Sequence, residues 1–424
     1  MRAFAALTLC CLTLFAPRAG AQAEGEPGGF YSGASEVASD SGEAPKLDLY
    51  GFVDFTYTKN LDGPDVPYDQ FPQFGSFAVG NINLYAASNL SNNFRSLLEV
   101  RLLYLPHGGD GAFSPNGNIS RTDTNVSDYT DVTRPLRWGG IEIERVFLEY
   151  QAKDWLAIQL GQYLTPYGIW NIDHGTPTVI PVRRPFVIGE SLFPERQTGI
   201  EAHGALLSGK TTFGYHLTFS NGKGPLDAYL DLDDNNAWGG RLYVSNTALG
   251  HVTLGGSAFY GKYTDRSKAY RPEPNITPTQ LETVTEITEQ YDELSFGGDL
   301  RWEIDGFLAQ VEAIVNQRNY SDPYRRVDGG GIVADELNVG GYALLGYRTP
   351  WLGIMPYTMA ESYNFAINTL LPPTVATTTG LNIQPYPNVV FKLQYGYAQL
   401  GDTSSKELLR GTLHQFDAQA AWTF

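Results

Sequence analysis

QFDAQAAWTF, residues 415–424, decides the fold. Phe416, Ala418, Ala420, Trp422 and Phe424 fall on one face of an extended chain, and Gln415, Asp417, Gln419, Ala421 and Thr423 on the other. Successive strand side chains point to opposite sides, so a period of two means a strand. The helical template, apolar at i, i+3, i+4 and i+7, fits worse. The alternation recurs upstream. Phe94, Leu98, Val100, Leu102 and Tyr104 oppose Arg95, Glu99 and Arg101. Phe213, Tyr215, Leu217 and Phe219 oppose Gly214, His216 and Thr218. Leu294, Phe296, Leu300, Trp302 and Ile304 oppose Ser295, Asp299, Arg301 and Glu303. Val389, Phe391, Leu393, Tyr395 and Tyr397 oppose Lys392 and Gln394. One face suits lipid and the other water, and these segments have the length of a tilted strand crossing a bilayer.

The 415–424 segment resembles the C-terminal strand of Gram-negative outer-membrane proteins, which implies that the barrel-assembly machinery reads Phe424. At the other end, Arg2 precedes the apolar run FAALTLCCLTLFA (4–16), and Ala19-Gly20-Ala21 and Ala21-Gln22-Ala23 fit small-x-small cleavage sites. Residues 1–23 therefore read as a signal peptide, too short for the ~20 apolar residues of a membrane span. Residues 24–46, acidic and rich in Gly and Ser, are expected to be a disordered lead-in. Residues 47–424 are expected to form the barrel. The two cysteines, Cys10 and Cys11, lie in the signal; without it the chain has no disulfide, thiolate nucleophile or zinc–thiolate site. The net charge of −17 argues against nucleic acid as a partner. No stretch after the signal has the ~18 unbroken apolar residues of a membrane helix. An exported chain with 26 Tyr and 46 Gly can still enter a membrane as a closed barrel. Its partners would then be outer-membrane lipid and lipopolysaccharide.

Connections alternate between short and long. The short ones fall at 89–93, 151–154, 207–210, 246–250, 305–306, 349–353 and 384–387. The long ones run over 60–78, 105–138, 164–197, 221–236, 265–290, 319–337, 365–374 and 400–410. Short periplasmic turns and long outer loops describe a bacterial barrel of about sixteen antiparallel strands. The strand at 375–383 has the weakest pattern and is retained because such barrels have even strand counts. The fold class is all-β, a transmembrane antiparallel β-barrel. A barrel of this size leaves an aqueous channel. Its inward set includes Arg95, Glu99, Arg101, Arg145, Glu149, Arg241, Asp299, Arg301, Glu303, Glu312, Lys392 and Asp417. Burying so many charges in a dry core would be prohibitive, and a wet lumen removes the cost.

The third long loop, 164–197, is too apolar for a solvated loop, with Tyr167, Ile169, Trp170, Val179, Ile180, Val182, Phe186, Val187, Leu192 and Phe193. Pro166, Pro177, Pro181, Pro185 and Pro194 keep it from being an extra strand or helix. It must pack against something, and the inside of its own barrel is the surface available. The runs GQYLTPYGIWN (161–171), RRPF (183–186), LFPERQTG (192–199), SNGKG (220–224), DLDDNNAWGGRL (231–242) and TGLNIQPYPNVVFKLQYGYA (379–398) resemble the phosphate-selective porin group and its relatives. That resemblance implies a trimeric channel for small polar solutes, with anions such as phosphate among the candidates, narrowed by this inward-folded loop. The group's anion preference rests on lumenal rows of Arg and Lys, and no dense Lys row is present here. Candidate constriction residues are Arg183, Arg184 and Arg196 against Asp173, Glu190 and Glu195, with His174 nearby. Opposed charges across a narrow aqueous gap set up a transverse field that filters ions. The same charges could instead tie the loop to the wall.

Two other classes compete. An outer-membrane hydrolase would need a serine-plus-orienter constellation, which the spacing of the histidines at 107, 174, 203, 216, 251 and 414 does not provide. No P-loop, HExxH or GxSxG is present. The chain thus reads as a non-enzyme without cofactor. Asp231, Asp233 and Asp234 lack the glycine and closing glutamate of a calcium loop, and no metal site is expected. The main alternative to a channel is a structural or adhesive barrel with an occluded lumen.

Overall fold

The computed structural model describes residues 47–62, 75–104, 138–171, 175–189, 192–224, 233–272, 281–325, 327–328, 331–332, 334–364, 374–400 and 411–424. Within them, sixteen antiparallel strands close into one barrel. In chain order the strands are Leu47–Asp62, Ser76–Asn89, Phe94–Tyr104, Trp138–Lys153, Leu156–Leu164, Arg196–Ser208, Thr211–Ser220 and Ala237–Asn246, followed by His251–Pro272, Leu281–Ile304, Phe307–Tyr320, Glu336–Tyr347, Met355–Asn364, Thr374–Tyr386, Val389–Leu400 and Gly411–Thr423. They are called the first to the sixteenth below. Each pairs with its neighbours in sequence, and the first closes on the sixteenth from Phe52↔Thr423 to Asp62↔His414. Closure leaves no unpaired sheet edge, which lipid could not satisfy.

The strand at 375–383 is present as Thr374–Tyr386. The expected loop at 265–290 is much shorter than its span suggests. The ninth and tenth strands run on as a paired ribbon to Pro272 and from Leu281, with Leu281↔Pro272 as the last pair. Backbone pairing continues there without an alternating hydropathy to mark it. A small hairpin, Val327–Asp328 with Gly331–Ile332, decorates the connection after the eleventh strand.

The alternation separates the two faces of the wall. In the sixteenth strand Gln415, Asp417, Gln419 and Ala421 are buried, whereas Trp422 is exposed. Leu98, Leu217, Leu254, Phe296, Phe391 and Leu393 are exposed on the outer face. A continuous sheet showing Leu, Phe and Trp outward is a surface made for lipid.

One departure from strict alternation matters. In the fourth strand Glu99 pairs with Arg145 and Val100 with Ile143, so Glu144 is an extra, bulged residue. Both Glu144 and Arg145 are then buried on the inner face, while Ile143 and Val146 are exposed. A bulge re-aims a side chain in this way.

The apolar core is inside the barrel. Tyr167, Trp170, Ile180, Val187, Leu192 and Phe193, all from the segment after the fifth strand, pack with Phe259, Ile314, Tyr342, Leu344, Met359 and Tyr363 of the wall.

Candidate pore constriction

The segment leaves the fifth strand and returns at the sixth through a pinned neck. Thr165 N–H donates to the Glu195 carbonyl at 3.0 Å, and the Thr165 hydroxyl donates to the Pro194 carbonyl. The Asn171 amide adds a 2.9 Å bond to Thr165 Oγ1.

Beyond the neck the segment bonds to strand after strand. Tyr167 Oη lies 2.6 Å from Thr218 Oγ1 of the seventh. Gly168 N–H donates to Ser257 Oγ of the ninth at 3.3 Å, and Ile169 N–H to Glu312 Oε2 of the eleventh at 3.2 Å. The Leu192 carbonyl accepts from Ser295 Oγ of the tenth at 2.6 Å. Phe186 N–H donates to Glu361 of the thirteenth, Asn382 Nδ2 of the fourteenth to the Ile180 carbonyl, and Val182 N–H to Gln394 Oε1 of the fifteenth at 2.7 Å. Thr176 Oγ1 donates to Asp54 Oδ2 of the first at 2.9 Å. These partners lie around most of a closed wall, and one segment reaches them all only by running through the interior.

Glycines in the wall make the seats. A methyl added at Gly239 would strike the Tyr167 hydroxyl; one at Gly297 would lie 2.7 Å from the Phe193 ring, and one at Gly340 2.9 Å from Val187. Gly168 meets two demands at once. Its φ is +72°, and a Cβ there would overlap the Glu312 carboxylate. Only glycine meets both without strain.

The wall of the second to sixth strands carries paired charges instead of seats. Arg101 Nη1 lies 3.2 Å from Glu144 Oε1, and Arg196 Nη2 is 3.2 Å from Glu144 Oε2. Arg145 pairs with Glu99 at 2.5 Å and Arg95 with Glu149 at 2.7 Å. His203 contacts Glu149 at 3.2 Å and stacks on His216, which contacts Glu201 at 2.7 Å. Between the segment and the wall from the sixteenth strand through the first to the fourth lies a cavity of about 290 Å³. Phe52, Asn83, Arg101, Glu144 and Gln419 line it from the wall, and Trp170, Thr176, Val179, Val182, Arg184 and Glu195 from the segment.

The expected constriction residues divide. Arg184 and Glu195 pair at 2.8 Å at the cavity, and Arg196 reaches it through Glu144. Arg183 turns away and donates to Gln415 Oε1 at 2.7 Å. Asp173, His174 and Glu190 lie outside the described residues. Among the expected lining residues, Arg95 and Arg101 keep partial exposure. Arg301 pairs with Glu303 at 2.6 Å near a short turn.

Eight of the twelve residues of the expected inward set, Glu99, Arg145, Glu149, Arg241, Asp299, Glu312, Lys392 and Asp417, are buried. Glu312 and Lys392 face inward but are covered by the segment, at 2% and 1% exposure. Glu312 accepts from Ile169 N–H and Tyr342 Oη–H, and Lys392 Nζ donates to the Thr176 and Val179 carbonyls at 2.6 Å each. Alternation gives the direction of a side chain and says nothing of what lies over it. Arg241 and Asp299 are likewise buried, as an ion pair at 2.5 Å. Glu144 was missed because the bulge inverts its face. Asn83 and Gln419 lacked any signal beyond their parity.

No family model matches the sequence, and no curated protein matches it. Solved structures do match over nearly the whole chain. An anion-selective porin from Comamonas acidovorans aligns with a TM-score of 0.56 at 9% identity, over 90% of this chain and 100% of that one. The chain has the porin fold. The outer membrane channel DcaP of Acinetobacter baumannii aligns at 0.52 and 13% identity, over 91% of this chain and 99% of that one. OmpT, an outer membrane protein of Vibrio cholerae in trimer form, aligns at 0.53 and 9% identity, over 90% and 100%. A porin fold at such low identity fixes the barrel and leaves the chemistry of the interior to this chain's own residues.

Proposed function

We propose that the protein is a porin of a Gram-negative outer membrane, a passive channel for ions and small polar solutes. The observation that carries this reading is the cavity between the 164–197 segment and the charged wall, bordered by Arg101–Glu144 and Arg184–Glu195. Charges line it from both sides, as an aqueous path requires. The phosphate preference suggested by the sequence finds little support there, since each of these arginines already holds a carboxylate. The neighbour in trimer form favours a homotrimer. A catalytic role is disfavoured because His203 and His216 stack on each other and serve carboxylates. Planar-bilayer recording tests the proposal. Discrete current steps, with a reversal potential in a salt gradient, are expected. Inserted protein without steps at any salt concentration would instead favour the occluded structural or adhesive barrel.

A further inference from the structure

The sixth and seventh strands carry a pair of histidines away from the gap. His203 and His216 are register partners on the inner face. His216 is one inward position from Thr218, the residue that latches Tyr167, on the side of the short turn between Ser208 and Thr211. The two rings stack 5.5 Å apart with 13° between their planes, and each side chain keeps 21% exposure. Their carboxylate partners are nearly hidden, at 1% for Glu149 and 7% for Glu201. His203 Nε2 is 3.2 Å from Glu149 Oε2 of the fourth strand, and Arg95 of the third holds the other oxygen at 2.7 Å. His216 Nδ1 is 2.7 Å from Glu201 Oε1. Tyr243 of the eighth strand stacks on His216 at 6.0 Å and carries Arg241 over its ring. Asp299 of the tenth strand already matches that arginine. Tyr163 of the fifth strand lies beside Glu201.

We infer that the stacked pair His203–His216 is a second selectivity element of the lumen, whose charge follows pH and turns the channel toward anions in mild acid. The inference rests on the channel reading. Histidine is the side chain whose charge ordinarily changes between about pH 5 and 8. With both rings neutral, the cluster sets Arg95 against Glu149 and Glu201, which leaves one negative charge in excess among the described residues. With both rings protonated, one positive charge is in excess. The neighbouring Arg241–Asp299 pair adds nothing to either count. The local charge therefore changes sign. The rings are the exposed members and the carboxylates the covered ones, so the added charge stands where ions pass. A charge in a confined aqueous passage gathers its counter-ion and repels its own sign. A pair that only tied the sixth strand to its neighbours would leave ion preference indifferent to protons.

The test is planar-bilayer recording of the full chain in a potassium chloride gradient, from about pH 8 to about pH 5, beside His203→Gln, His216→Asn and the double variant. Gln and Asn keep a neutral N–H donor at about the reach of Nε2 and Nδ1, so Glu149 and Glu201 keep a partner. Each variant is first checked for the heat-modified gel shift of a folded barrel. The chloride-to-potassium permeability ratio of the unaltered chain is expected to rise about 3- to 10-fold toward the acid end. Each single variant should show a smaller rise and the double variant almost none, while all agree at the alkaline end. A ratio that ignores pH in the unaltered chain, or a full rise in the double variant, would overturn the assignment. So would a double variant that differs from the unaltered chain as much at the alkaline end as at the acid end, since that marks a structural role. Absence of any current sinks the channel reading and this inference with it. Current with a ratio independent of pH sinks the inference alone.

Discussion

The two sides of the lumen are built on opposite plans. From the seventh strand round to the first, the inner wall offers glycine seats, apolar surface and single polar latches that the 164–197 segment fills, beside ion pairs such as Arg241–Asp299 and Arg318–Glu293 that the wall satisfies by itself. From the second strand to the sixth it offers Arg–Glu and His–Glu pairs, and the segment stands off. A peptide gains by covering apolar surface and loses by stripping water from charges that it cannot pair. The contrast therefore sets where the segment lies, and so where the gap opens.

The largest expected effect comes from breaking the filled side. Gly168→Val forces a β-branched residue to φ near +72° and pushes it into Glu312; the backbone strain alone costs about 1–3 kcal/mol. Thermal unfolding in detergent should shift down and single-channel conductance should rise as the segment lifts. Lys392→Met comes next, since it leaves the Thr176 and Val179 carbonyls without their donor, a loss of about 1–3 kcal/mol. It should destabilise less than Gly168→Val and make the current noisier.

Changes on the open side should alter ion preference. Glu144→Gln removes the carboxylate shared by Arg101 and Arg196, and the reversal potential should move toward anions. Arg184→Glu should move it toward cations by less, because Arg184 is partly exposed and screened. Arg183→Glu should do less again, its guanidinium being engaged with Gln415. The smallest effect belongs to Arg325→Glu. Arg325 sits in an outer connection between Asp322 and Asp335, at 3.1 and 2.9 Å, and its removal should leave the reversal potential unchanged. A shift there as large as that for Glu144 would dissolve the distinction between the two sides.

Much of this was legible in the sequence. Lipid on one face and water on the other imposes a strict period of two, so Phe391–Tyr397 and Gln415–Phe424 announce their strands. The same logic fails in three places, each for a physical reason. The ribbon reaching Pro272 and Leu281 keeps its backbone pairing where the sequence does not alternate. The bulge at Glu144 inverts parity within one strand, and no residue type marks it. Glu312 and Lys392 read as lining because a strand pattern has no knowledge of a loop folding back over it. The segment itself was legible through its prolines and apolar content. Its seats, Gly239, Gly297 and Gly340, were not, because glycine in a strand has several uses.

The gap lies between the segment and the wall that carries Phe52, Asn83, Arg101, Glu144 and Gln419. Single cysteines at Arg101 and at Met359, introduced after Cys10 and Cys11 are changed to Ala, test it through current block by a charged methanethiosulfonate reagent. Arg101 borders the cavity, whereas Met359 lies 1% exposed under the segment. The account predicts rapid block of the Arg101→Cys channel and an unreactive Met359→Cys channel. Fast block at Met359 with none at Arg101 would contradict it.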